Sequence, residues 1–169
     1  AQDVFRTQLR AILRANQHGH LRVVLPLIST IDELREAQRI LEDVKGELSQ
    51  AGIEHRAELP VGVMIEVPAA AMLADLFARE ADFLSVGTND LIQYILAVDR
   101  TNENVAHLYQ PLHPAILRSL AYLIGVAQNE NVPLELCGEM ASDPLHAVAL
   151  VAMGVRALSL APAAIPIIK

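Results

Sequence analysis

Five short apolar runs alternate along the chain with stretches of helical periodicity, and this alternation restricts the fold more than any other feature. The runs are LRVVLPLI (21–28), VGVMIEV (61–67), DFLSV (82–86), LELC (134–137) and ALSL (157–160). They are short and mostly aliphatic, as expected of strands covered on both faces. After the first run, Ile31, Leu34, Ala37, Leu41, Val44 and Leu48 recur at spacings of three and four, which predicts a helix over 30–51. Thr30 and Glu33 have capping-box spacing, and Gly52 stands where a left-handed residue closes a helix. Further helices are expected through Phe5, Leu9, Ile12 and Leu13, over 70–79, over 114–129, and from Pro144 onward after Ser142 and Asp143. The segment 89–112 reads as a long insertion. Strands alternating with helices imply an α/β fold with a parallel sheet, either open and doubly wound or part of an eight-stranded barrel.

A complete barrel typically needs about 250 residues. This chain has 169, begins with Ala1 and stops at Lys169 directly after an apolar segment, so it reads as one continuous domain cut from a longer protein. The 53% hydrophobic content rules out disorder. A net charge of −7, with no run of Lys and Arg, argues against nucleic acid as a partner. An anionic ligand would therefore need local cations. Cys137 is the single cysteine and no N-terminal signal segment is evident, which makes the cytoplasm the default address. The apolar run 147–168 is long enough to span a bilayer, but Arg156 sits near its centre and Gly154, Pro162 and Pro166 interrupt it. It reads as a helix, a turn and a strand, with no membrane insertion.

In an α/β sheet the reactive side chains gather where strands end and loops begin. Here the second strand ends at Glu66, the third runs into Gly87-Thr88-Asn89-Asp90, and the fourth ends at Cys137-Gly138-Glu139. Glu66 and Asp90 suit Mg²⁺, which is usually held by one or two carboxylates and completes its shell with water and phosphate oxygens. Each alone reads more readily as a helix cap or a surface acid, and it is their place on adjacent strand ends that raises the metal reading. The backbone N–H groups of the turn at 87–90 could hold a phosphate, and Arg100 could add a bidentate contact. A solvated loop arginine is the plainer reading of Arg100. A lone Cys in a strand is most often a small buried hydrophobe. Its place on the same rim as two carboxylates raises the alternative of a general acid or base, and an unperturbed thiol, with pKa about 8.5, keeps its proton at neutral pH. The six histidines show no metal-ligand spacing and carry no assigned role.

DFLSVGTNDLIQYILAVDR (82–100) resembles the signature of the phosphoenolpyruvate-utilising enzymes. FRTQLRAILRA (5–15), GVMIEVPAA (62–70), LYQPLHPAILRSL (108–120) and LELCGEMASDP (134–144) narrow the resemblance to Enzyme I, the phosphoenolpyruvate-protein phosphotransferases, with wording that leans toward the nitrogen-regulatory branch. It covers essentially the whole chain. The resemblance implies that residues 1–169 are the later strands and helices of a (β/α)₈ phosphoenolpyruvate-binding barrel, through which the family forms homodimers. It implies Glu66 and Asp90 as Mg²⁺ ligands, Asn89 and Asp90 at the phosphoenolpyruvate contact, Arg100 as a phosphate-binding arginine, and Cys137 as proton donor to the enolpyruvate carbon. The implied reaction passes the phosphoryl group to a histidine on a separate domain and then to a histidine-containing phosphocarrier protein of sugar uptake or nitrogen regulation, releasing pyruvate. No segment here matches the phosphorylated-histidine motif, and the family's phosphate-binding arginines on earlier strands are missing, so turnover by this chain alone is not expected. The alternatives are a pyruvate phosphate dikinase or phosphoenolpyruvate synthase barrel, and a non-catalytic dimerisation or phosphoenolpyruvate-sensing module.

Overall fold

The computed structural model describes residues 2–169. Its elements run α1 (Gln2–Ala15), β1 (Val23–Leu25), α2 (Ile31–Gln50), β2 (Val61–Ile65), α3 (Pro68–Met72), α4 (Ala74–Glu80), β3 (Phe83–Gly87), α5 (Thr88–Leu96), α6 (Pro114–Asn129), β4 (Leu134–Cys137), α7 (Glu139–Ser142), α8 (Pro144–Met153), β5 (Leu158–Ser159) and α9 (Ile165–Ile168). All five strands are parallel, in the spatial order β1-β2-β3-β4-β5. A doubly wound sheet reverses its order at a switch point, whereas this one never does. Successive right-handed crossovers then bring their helices to one face, and the sheet is an arc of a (β/α)₈ barrel with β1 and β5 as its edges.

Alternation along the strands divides the side chains between two faces. Val63, Ile65, Leu84, Val86 and Leu136 are buried in one core with Leu34, Leu41, Val44, Phe77, Leu120, Leu123 and Leu150 of the helices. The other face carries Met64, Glu66, Ser85, Glu135 and Cys137. At its lower end the Arg22 guanidinium lies 4.5 Å over the Phe83 ring and pairs with Glu135 at 2.8 Å. Gly62 leaves room for that ring, since a Cβ there would lie 2.5 Å from it.

The longest helix forms as its ends predict. Glu33 Oε2 accepts from the Thr30 N–H at 2.9 Å while Thr30 Oγ1 accepts from the Glu33 N–H at 3.4 Å, closing a capping box, and Gly52 is left-handed at φ 64°. Four expectations need correction. The first strand is only Val23–Leu25, because Pro26 has no N–H to donate and Leu27 turns away at φ 53°. The helix expected over 70–79 is two, α3 and α4, broken at Leu73. The insertion at 89–112 is helical in its first part, where α5 continues to Leu96 and ends at left-handed Ala97. A single turn, α7, precedes α8. The 147–168 run divides into the end of α8, left-handed Gly154, β5 and α9, and among the described residues no helix is long and apolar enough to cross a membrane.

Candidate functional site at the carboxyl edge of the sheet

Register sets the site. Ile65 lies opposite Val86 and Gly87 opposite Cys137, so Glu66, one residue beyond Ile65, comes level with Gly87 and Cys137. The Glu66 side chain crosses Gly87, where an added Cβ would stand 2.9 Å from both Glu66 Cβ and Oε2. The Gly87 φ of −84° is open to any residue, so glycine is needed here for close approach rather than for its backbone. Glu66 is only 5% exposed, and the left-handed Leu27 donates its N–H to Glu66 Oε1 at 2.8 Å. Burial pushes the Glu66 carboxyl up from its ordinary value, the Leu27 N–H opposes this, and neighbouring Asp90 raises it further by charge and hydrogen bonding.

Two adjoining carboxylates, one of them buried with a single backbone donor, form a donor set that a hard divalent cation would relieve. No group of three or more His, Cys, Asp or Glu among the described residues could hold a metal by itself. Mg²⁺ takes few protein ligands and keeps positions for water and phosphate, and the chemistry of the Glu66–Asp90 pair suits that habit.

In place of the turn expected at 87–90, α5 starts directly after β3, and its first turn is joined to the β4–α7 junction. The Thr88 hydroxyl, wholly buried, donates to the Cys137 carbonyl at 2.8 Å, and the Glu139 N–H donates to Asn89 Oδ1 at 2.9 Å. That second bond occupies the Asn89 oxygen and leaves its NH₂ as the group for an incoming acceptor. Gly138 makes both bonds possible. Its φ of 106° and ψ of 180° lie in a region open essentially to glycine alone, and a Cβ there would sit on Thr88 Oγ1 and 2.9 Å from Asn89 Oδ1.

Arg100 reaches the same rim from the connection between α5 and α6. Its backbone N–H donates to Gln93 Oε1 at 3.2 Å and its Nη1 donates to Glu139 Oε1 at 2.9 Å. Tyr109 leans on this group, its hydroxyl donating to the Asn89 carbonyl at 3.5 Å. Burial raises the Tyr109 phenol, Arg100 opposes the shift, and Glu139 and Asp90 add to it.

At the end of β4 the Cys137 Sγ donates to the Val86 carbonyl at 3.5 Å and accepts from Ser85 Oγ at 3.9 Å. Burial pushes this thiol up, Ser85 opposes, and the charge of Glu66 pushes further upward. The thiol is thus perturbed, where the sequence alone suggested an ordinary one, and the direction keeps its proton in place at neutral pH. Glu66, Asn89, Asp90 and Cys137 stand on one rim, at or next to strand ends, and Arg100 joins it from the α5–α6 connection through Glu139. Sequence reasoning assigned nothing to Ser85, Tyr109 or Glu139. The period-two relation of Ser85 to Gly87 on one strand could have suggested the first, and the shared connection of Tyr109 with Arg100 the second.

All 169 residues match the model of a family described as PEP-utilising enzyme, PEP-binding domain. The chain belongs to that family. Among curated PEP-utilising relatives, the phosphoenolpyruvate-protein phosphotransferases of Geobacillus stearothermophilus and Bacillus subtilis (strain 168) are 49% and 46% identical over 97% of the chain. The chain spans 28% and 29% of their lengths. Solved structures extend the likeness at the level of fold. A citrate lyase from Burkholderia xenovorans LB400 superimposes with a TM-score of 0.70 at 22% identity, covering 96% of this chain and 52% of that one. A malate synthase from Haloferax volcanii gives 0.67 at 18% identity, covering 95% and 44%.

Proposed function

We propose that residues 1–169 are the later part of the phosphoenolpyruvate-binding barrel of a phosphoenolpyruvate-protein phosphotransferase. The observation that carries this reading is the gathering of Glu66, Asn89, Asp90, Arg100 and Cys137 on one rim in a chain of the PEP-utilising family. Glu66 and Asp90 would hold Mg²⁺. When bound, the ion would draw charge from the phosphoryl and enolate oxygens. The Asn89 NH₂ and the Arg100 guanidinium bind and orient the anionic ligand, and positioning with charge neutralisation is most of what phosphoryl transfer requires.

The phosphoryl group leaves phosphoenolpyruvate for a histidine nitrogen outside this chain and passes on to a phosphocarrier protein. The enolate left behind takes its proton at carbon from the Cys137 thiol, giving pyruvate, and the sulfur recovers a proton from solvent. The raised thiol is protonated at neutral pH, as a proton donor must be. Ser85 Oγ keeps the sulfur oriented.

The reading extends to a cytoplasmic homodimer serving sugar uptake or its nitrogen-regulatory counterpart. Exposed Met72 and Tyr122, which line one apolar hollow with Ile95, are a suitable dimer surface.

Thermal unfolding with Mg²⁺ and phosphoenolpyruvate, alone and together, tests the proposal. Ligand at a hundred times its dissociation constant stabilises a fold by about 2.7 kcal/mol. A shift that needs both components and is lost in Glu66→Gln is the expected result. Loss of phosphoenolpyruvate-dependent carrier phosphorylation in the full-length Glu66→Gln enzyme is the matching kinetic result, and an unchanged rate there would overturn the metal assignment.

A further inference from the structure

We infer that Glu139 is the positioning residue of the anion site, holding Arg100 and Asn89 in the arrangement that receives phosphoenolpyruvate; this rests on the roles proposed above for those two residues. Glu139 bonds to both of them. Its backbone N–H fixes the Asn89 amide at 2.9 Å, and its carboxylate takes one hydrogen bond from Arg100 Nη1 at 2.9 Å. A guanidinium carries five N–H groups in a rigid fork. Engagement at Nη1 leaves the edge made by Nε and Nη2, the edge suited to bidentate contact with a phosphate or carboxylate.

The local backbone gives this contact its purpose. Arg100 lies beyond left-handed Ala97, in an irregular connection, so no helical or strand geometry limits its side chain. Glu139 is held more firmly, because Gly138 and the Asn89 bond place its backbone at the end of β4. The pair therefore ties a side chain on a loop to the sheet. Glu139 is 76% exposed on its side chain and Arg100 33%, so the pair adds little to folding and its effect falls on binding. Holding one rotamer-rich side chain ready corresponds to about two- to tenfold in affinity.

The test is a set of variants in the full-length enzyme, assayed for phosphoenolpyruvate-dependent phosphorylation of its carrier. Glu139→Ala keeps the backbone N–H to Asn89 and removes only the carboxylate. The expected result is a rise of about two- to tenfold in KM for phosphoenolpyruvate, with kcat falling by less and the Mg²⁺ dependence unmoved. Glu139→Gln, whose amide oxygen accepts the same bond, should recover most of the loss. In an Arg100→Ala background, removal of the Glu139 carboxylate should raise KM no further. A Glu139→Ala enzyme with unchanged or lower KM would overturn the proposal, the lower value marking Glu139 as a competitor for Arg100. Full effects of Glu139→Ala added to those of Arg100→Ala would overturn it as well. The underlying reading fails separately, by full activity in Glu66→Gln, whatever Glu139 does.

Discussion

Gly138→Ala should damage the fold and the site together. The native φ of 106° with ψ of 180° costs a side-chain-bearing residue about 1–3 kcal/mol. The new methyl would also press on wholly buried Thr88 Oγ1 and stand 2.9 Å from Oδ1 of half-buried Asn89, both in the first turn of α5. Relief means moving those atoms and weakening the Thr88–Cys137 and Glu139–Asn89 hydrogen bonds, at about 0.5–1.5 kcal/mol each. The combined loss is about 2–6 kcal/mol, a large share of the about 5–15 kcal/mol that holds a typical domain folded. Urea denaturation gives the measurement, read as a lower midpoint with an unchanged slope. Gly46→Ala is the control, since Gly46 is exposed within α2 with nothing near a new Cβ, and it should gain about 0.5–1 kcal/mol. If Gly138→Ala lost less than about 1 kcal/mol and kept its ligand-dependent thermal shift, the account of the joined segments would be refuted.

Other perturbations separate the parts of the site. Gly87→Ala should displace the Glu66 carboxylate and reduce the Mg²⁺-dependent thermal shift by more than half, with less loss of stability than Gly138→Ala because φ at Gly87 is ordinary. Cys137→Ser in the full-length enzyme should slow pyruvate formation by about 10²-fold or more while phosphoenolpyruvate still binds, measured by pyruvate release against calorimetric affinity. Cys137 and Tyr109 both hold their protons more tightly folded than unfolded, so their contribution to stability is complete below the ordinary thiol value of about 8.5 and is lost as pH rises through the folded values. Urea midpoints should therefore fall from about pH 8 to pH 10.5, and less steeply in a Cys137→Ser, Tyr109→Phe double variant. Thr30→Ala removes the capping oxygen of α2 and should cost about 1 kcal/mol by the same urea assay.

What could be read from the sequence and what could not differ in the range of the interactions involved. The α2 helix was legible because its periodicity, capping box and closing glycine all lie within 23 consecutive residues, 30–52. The strand at 21–28 reads too long on two counts: Pro26 is a local stop for the ladder, and Leu27 leaves the sheet for a distant reason, giving its N–H to Glu66, 39 residues away. The same distinction divides the site. Glu66, Asn89, Asp90 and Cys137 stand at strand ends or in the turns just after them, and parallel topology carries such positions to one edge whatever the loops do. Arg100 and Tyr109 arrive on a connection whose path turns on a left-handed alanine, Ala97, a residue type that gives no signal for that conformation. The Glu139 role depends on Gly138 adopting a conformation that only the packed neighbours Thr88 and Asn89 explain. Local rules thus find the residues that the sheet presents, and the residues that aim them become visible only through contacts between segments far apart in the chain.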